Sequence, residues 1–232
     1  MKYGILAAGE GARLAQEGIE VPKPLVTING EAMIDRLIRI FCDNDAEEIV
    51  IITNNLTPLT QQHLRLLQQT DSRIRLIVKT TPSSMHSFYE LHSALGKGRF
   101  CLTTVDTIFR EEEFKEYIHM CQQMDGDGLM AVTDFVDDEK PLYIATDEQM
   151  RITGFYDERH EDTQYISGGI YCLTDASFPT LERCIQEGMS RMRNFQRQMI
   201  HDGLQLRAYR FSKILDVDHA DDIKKAEEFI KN

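Results

Sequence analysis

Apolar and polar positions follow two alternating rhythms along this 232-residue chain. "KYGILAA" near the start is a short apolar run, the pattern of a strand covered on both faces. "GEAMIDRLIRIFCDND" then places Ile34, Leu37, Ile38 and Phe41 on one helical face. "EEIVIITNN" is β-branched and reads as a strand. "LTPLTQQHLRLLQQ" predicts a helix starting near Pro58, with Thr57 as its N-cap. The alternation continues through the strand "RIRLIVKT", the helix "MHSFYELHSAL", the strand "RFCLTTVD", the helix "REEEFKEYIHMCQQM" and the strand "GLMAVTDFV".

This order predicts an α/β fold, a mostly parallel sheet with helices on both faces. Ligands of such sheets bind beyond the carboxyl ends of the strands. Four places qualify: Gly9 to Lys23, Thr53 to Asn55, Lys79 to Ser84, and Asp106. After residue 135 the rhythm changes. "KPLYIATDEQMRITGFYDE" predicts two short strands around a turn, and "YISGGIYCL" a strand with a glycine pair. Two helical stretches, the strand "LQLRAYRF" and the amphipathic helix "HADDIKKAEEFIKN" follow. In the last, Ala220, Ile223, Ala226 and Ile230 share a face. Linker-like composition and internal repeats are absent, so one domain, 1–232, is expected. Its half 1–135 would bind a nucleotide and its half 136–232 an acceptor.

Charge narrows the chemistry. The formal net charge is −12. That disfavours nucleic acid and anionic membranes, which need a basic field. A polyanion would have to be held by a local cluster of cations and backbone donors. The longest apolar stretches fall short of the roughly 20 residues that span a bilayer. The N-terminal run is too short for a leader, so a cytoplasmic protein is expected. The five cysteines form no CxxC and are expected to be reduced thiols. The histidines form no HExxH, so zinc has no support.

The chemistry concentrates in "ILAAGEGARLAQEGIEVPKPL". A Rossmann fingerprint needs GxGxxG, but Leu14 stands where the third glycine belongs. A Walker loop needs GxxxxGK[ST], which the chain lacks. A plain glycine turn accounts for GxG alone. It does not account for Arg13 two residues beyond Gly11, or for Lys23 stiffened by Pro22 and Pro24.

"LAAGEGARL…PKPL" resembles the signature of the sugar-1-phosphate nucleotidyltransferases, whose relatives include choline-phosphate cytidylyltransferases and molybdenum-cofactor guanylyltransferases. "EAMIDRLI", "EEIVIITN", "TTVD", "SGGIY" and "LDVDHADDIKKAEEF" extend the likeness in order over nearly the whole chain. The resemblance implies a Rossmann-like sheet of GT-A type with a small mixed-strand acceptor region. It implies Mg²⁺-dependent joining of a nucleoside triphosphate to a phosphorylated small-molecule acceptor, with pyrophosphate released. The oligomeric state stays open.

By the same resemblance, Arg13 and Lys23 are the catalytic cations. Ala7, Ala8, Gly9, Glu10, Gly11, Ala12, Asn54, Ser83 and Ser84 would bind the nucleotide. Gly168, Gly169, Asp157 and Glu158 would meet the acceptor, although a β-bulge alone also explains the glycine pair. Asp106 would bind the metal together with Asp216 or Asp218, and Asp218 could equally cap the last helix. Arg193 and Arg197, one turn apart, suit either an anionic acceptor or a solvated face.

Three positions depart from the family pattern. Ala12 replaces a hydroxyl residue, "TVD" replaces "GD", and "TTPSSMHSFYE" lacks the usual G-T pair. They motivate a second class, a non-catalytic sensor of nucleotides or nucleotide-sugars on the same fold. A third, a GT-A glycosyltransferase, would carry its D-x-D after the fourth strand. Here that place reads "TVDT", and "DVD" comes near the far end.

Overall fold

The computed structural model describes residues 1–137 and 139–231. Asn232, the last residue of the predicted C-terminal helix, lies outside them. The first half runs β1 (Lys2–Ala7), α1 (Ala12–Gln16), a 3-10 turn (Lys23–Leu25), β2 (Thr27–Ile28), β3 (Glu31–Ala32) and α2 (Met33–Asp43). Next come β4 (Glu48–Thr53), α3 (Pro58–Thr70), β5 (Ile74–Val78), α4 (Ser84–Leu95), β6 (Arg99–Thr104), β7 (Thr107–Ile108) and α5 (Glu111–Gln123). The remainder is β8 (Gly128–Thr133), β9 (Tyr143–Thr146), β10 (Ile152–Tyr156) and β11 (Thr163–Thr174). It closes with α6 (Phe178–Gln186), α7 (Met192–His201), β12 (Leu206–Arg210), β13 (Leu215–Asp216) and α8 (Ala220–Lys231).

The expected α/β architecture is present. β5, β4, β1 and β6 lie side by side and parallel. Beyond β6 the pairing becomes antiparallel around the twelve-residue β11. Its C-terminal part pairs antiparallel with β6, its N-terminal part with β9, and its other edge with β8. β12 then adds to β8 in parallel. The glycine pair falls at the irregularity in β11, between Ser167 and Tyr171. Among the described residues, no helix is long and apolar enough to cross a membrane.

Successive strand residues face opposite sides, and here both sides are covered. Ile5 and Ile51 join a core with Ile34, Leu37 and Phe41 of α2. Leu6 and Val50 join a second with Phe88 and Leu91 of α4. A third, smaller cluster matters most for function. Leu14 of α1, Met33 of α2, Val217 after β13, and Ala226 and Phe229 of α8 bury one another at the sheet's end. Leu14 is 1% and Val217 0% exposed. Each such side chain contributes about 1.5–3 kcal/mol on burial, so the cluster fixes Arg13 and Asp218, their chain neighbours.

One expectation needs correction. Cys121 of α5 and Cys172 of β11 are paired in a disulfide, with Cα atoms 6.3 Å apart. The packing of α5 on the sheet joins residues 51 apart in the chain, which no local motif could announce. Cys42, Cys101 and Cys184 are free thiols, as expected. Thr57 is the N-cap residue of α3, as expected, but its side chain makes no cap bond; its hydroxyl donates to Asn54 Oδ1 at 3.0 Å.

Candidate active site

The loop between β1 and α1 turns at Gly11, which has φ +63°. A side chain there would meet strain, and its Cβ would stand 2.9 Å from Cβ of Lys23. Glycine thus lets the 3-10 turn carrying Lys23 lie against the loop. Pro22 and Pro24 flank Lys23, the first capping that turn and the second within it, and Leu25 N–H donates to Pro22 O at 2.8 Å. Gly9 differs: nothing lies within 4 Å of where its Cβ would be, so that side of the loop is open.

Lys23 Nζ reaches two carboxylates. It donates to Asp106 Oδ2 at 2.5 Å and to Asp218 Oδ1 at 2.7 Å. Arg13 Nη1 donates to Asp218 Oδ2 at 3.0 Å. The four side chains form one neutral network, with Lys23 at its centre and only 9% exposed. Burial alone would push the Lys23 ammonium down, but the charges of Asp106 and Asp218 outweigh it and hold the pKa above the ordinary value. For Asp106, burial pushes the carboxyl up, and Lys23 together with a hydrogen bond from Thr104 brings it below the usual range.

Asp106 stands between Thr104 and Thr107, whose hydroxyls bond each other at 2.6 Å. This pair is what the "TVDT" departure contributes. Val217 N–H donates to Asp106 O at 3.1 Å, and Asp216 pairs with Thr107 across β13 and β7. Asp218 thereby reaches Lys23 beside Asp106. Asp216 and Asp218 both line the adjoining cavity. Asp218 is not a side-chain cap of α8. At that helix start Asp222 Oδ2 accepts the N–H groups of Asp218 and His219, and Glu17 Oε2 accepts that of Ala220.

Two cavities meet at Arg13 and Asp218. One, of about 490 Å³, is lined by Ala8 to Arg13, Lys23, Thr81 to Ser84 and Thr104 to Asp106. Its size suits a nucleotide, and the predicted Ala8, Gly9, Glu10, Gly11, Ala12, Ser83 and Ser84 all border it. Ala7 and Asn54 do not line it. Asn54 is fully buried and braces the loop from behind, its amide donating to the carbonyls of Ala8 at 3.1 Å and Gly9 at 3.2 Å. The second cavity, about 540 Å³, is bordered by Gly168 and Asp216. Gly169, with φ +73°, instead packs against Thr107 and Thr104; its Cβ would lie 3.0 Å from Thr107 Oγ1. A Cβ on Gly168 would strike Ile214.

Asp157 and Glu158 lie away from Lys23, in a third cavity. There Arg193 and Arg197 both bind Asp157, at 2.6 and 2.7 Å. Arg197 and then Arg193 hold its carboxyl below the usual range. The two arginines are therefore engaged rather than a free solvated face.

One contributor escaped the sequence reading. Arg36, 2% exposed on the buried face of α2, donates to Phe109 O at 2.7 Å. Its guanidinium lies 5.3 Å over the Phe109 ring. It ties α2 to the segment that carries Asp106. A lone arginine within an apolar helical face was the available signal.

Asp106 and Asp218 converge on a point already held by a cation. Mg²⁺ takes one or two carboxylates and completes its shell with phosphate oxygens, so this pair fits. Among the described residues no third histidine, cysteine or carboxylate joins them in a metal cluster.

The solved structure of a glucose-1-phosphate thymidylyltransferase from Bacillus anthracis superposes with a TM-score of 0.86, at 17% identity, over 100% of this chain and 96% of that one. Two curated proteins named bifunctional IPC transferase and DIPP synthase are similar in sequence. The one from Thermococcus kodakarensis is 26% identical over 188 residues, 77% of this chain and 39% of its own length. The one from Aquifex aeolicus is 24% identical over 235 residues, 97% of this chain and 51% of its own length. The chain thus spans about half, or less, of the curated relatives it matches. With the family profile of the nucleotidyl transferases matching residues 4–232, nearly end to end, the chain belongs to the nucleotidyl transferase family.

Proposed function

We propose that the chain transfers a nucleotidyl group from a nucleoside triphosphate to a phosphorylated small molecule, a sugar 1-phosphate or a polyol or choline-type phosphate. The observation that carries this reading is the convergence of Arg13, Lys23, Asp106 and Asp218 beside the Gly9–Ala12 loop. An acceptor phosphate oxygen bonds to the α-phosphorus, the bond from that phosphorus to the β-bridging oxygen breaks, and pyrophosphate leaves. Such a reaction depends on alignment and charge neutralisation more than on a covalent group from the protein.

Each residue has a part in that chemistry. Backbone N–H groups of Gly9, Glu10 and Gly11 bind phosphate oxygens where no side chain obstructs. Arg13 receives the β- and γ-phosphates and then the pyrophosphate. Lys23 turns from the carboxylates to bridge the α-phosphate and the acceptor phosphate, offsetting their repulsion. Asp106 and Asp218 would hold Mg²⁺, which neutralises triphosphate charge when bound. Nucleotide binding falls to residues 1–135 and acceptor binding largely to 136–232, in the cavity beside Gly168. Ala12 supplies one hydroxyl contact fewer than is usual.

The test is a product screen. CTP, UTP, GTP, dTTP and ATP are each incubated with Mg²⁺ and a panel of sugar, polyol and choline phosphates. A nucleotide-linked product with any pair supports the reading. Nucleotide binding without turnover on every acceptor favours the sensing class, and sugar transfer from a nucleotide-sugar donor rejects both.

A further inference from the structure

In a chain of net charge −12, one cavity has the opposite character. It measures about 700 Å³, and Lys140, Arg159, Arg191, Arg193 and Arg197 all border it. Three carboxylates oppose these five cations, and Asp157 is already taken by Arg193 and Arg197. Among the described residues no carboxylate pairs with Arg159 or Arg191.

Arg191 also has an unusual backbone. Its φ of +71° and ψ of 139° place it where residues other than glycine rarely go. The strain is held from the nucleotide side: Arg191 N–H donates to Ser83 Oγ at 3.3 Å. Ser83 borders the proposed nucleotide cavity. Glu139 is common to this cationic cavity and the proposed acceptor cavity. The cationic cavity thus sits on the rim of both substrate sites. A backbone held in a costly conformation there carries a guanidinium that no carboxylate among the described residues pairs with.

The geometry points to a subsite in this cavity for a second anionic group, a phosphate or carboxylate at the end of the acceptor remote from the reacting phosphate, bound by Arg159 and Arg191. This rests on the transferase reading above and adds to it the charge class of the acceptor. A free anion could satisfy the same two guanidinium groups, so the test must separate the two sources.

Calorimetric titration of the full chain does so without requiring turnover. The probes are glucose 1,6-bisphosphate, glucuronic acid 1-phosphate, glucose 1-phosphate and inorganic phosphate. The proteins are wild type, Arg159→Ala, and the double variant Arg159→Ala with Arg191→Gly. Glycine at 191 keeps the backbone and relieves its strain, and both side chains are exposed, so folding is preserved. A thermal melt checks this.

Wild type should bind at least one doubly anionic probe about tenfold more tightly than glucose 1-phosphate, the scale of one charge-assisted hydrogen-bonded contact. The double variant should lose that preference while its affinity for glucose 1-phosphate is unchanged, and Arg159→Ala should fall between. Equal affinity of wild type for the doubly and singly anionic probes overturns the proposal. So does tight binding of inorganic phosphate that depends on Arg159 and Arg191 without any preference among the sugar probes. Failure of the transferase reading shows separately, as absence of product with every acceptor.

Discussion

Lys23 joins Asp106, 83 residues away in the chain, to Asp218, 195 residues away, through a single ammonium. The lysine stands where the two carboxylates would meet a metal ion. Without nucleotide, the metal and Lys23 therefore compete for the same oxygens. Lys23→Met should bind Mn²⁺ about tenfold more tightly than wild type in the absence of nucleotide, read by the free Mn²⁺ resonance signal. The same variant should release pyrophosphate about 10²–10³-fold more slowly, because an electrostatic contact to the reacting phosphates is gone. Unchanged Mn²⁺ affinity would show that Lys23 does not guard the metal position.

Gly11 and Gly9 should respond differently to alanine. At Gly11 the methyl meets both a positive φ and Cβ of Lys23 at 2.9 Å. Gly11→Ala should cost about 1–2 kcal/mol in urea unfolding and displace Lys23, so activity falls with stability. At Gly9 the methyl meets open space. Gly9→Ala should stay within about 0.5 kcal/mol of wild type, so any loss of nucleotide affinity reports on the cavity itself.

Arg36→Met removes the donor to a buried carbonyl, that of Phe109. An orphaned buried acceptor costs about 1–3 kcal/mol, which chemical denaturation would detect. Because Arg36 supports the segment carrying Asp106, the loss should extend to the rate even though Arg36 touches no substrate. Stability equal to wild type would show that the Arg36–Phe109 bond is replaced by water.

Glu17 and His219 tie α1 to the start of α8. His219 Nδ1 meets Glu17 Oε1 at 2.6 Å. This hydrogen bond raises the His219 pKa. The N–H of Ala220, then His219, lower that of Glu17. The histidine's contribution is complete below its unfolded pKa near 6.5 and is lost as pH rises through its higher folded value. The carboxylate's contribution is present above its unfolded pKa and is lost as pH falls through its lower folded value. Thermal melting should therefore show a decline in stability as pH rises above about 6.5 that His219→Gln lacks. Parallel melting curves for the two proteins would remove this tie from the account.

Much of this architecture was legible because period and position carry it. The apolar run of β1, the β-branched runs of β4 and β5 and the spacing of Ile34, Leu37 and Phe41 fix elements locally. The GEGAR and PKP strings place Arg13 and Lys23 at the loop. What was hidden depends on long-range pairing. Asp216 and Asp218 are indistinguishable in "LDVDHADD"; only the fold brings Asp218 onto Lys23. The use of the Asn54 amide to brace the carbonyls of Ala8 and Gly9 follows only from the fold. The close packing of Gly168 on Ile214 and of Gly169 on the Thr104–Thr107 pair was likewise hidden, while Gly168 still borders the second cavity. Cys121 and Cys172 lie too far apart in sequence to suggest their disulfide.

Asp106 and Asp218 are the groups on which the proposed transfer depends most. Pyrophosphate release is measured with Mg²⁺, a nucleotide and an acceptor found active in the product screen, for wild type, Asp106→Asn, Asp218→Asn and Asp216→Asn. The account predicts a loss of about 10²-fold or more for the Asp106 and Asp218 variants and a rate close to wild type for Asp216→Asn. Full activity in Asp106→Asn, or loss confined to Asp216→Asn, would contradict it.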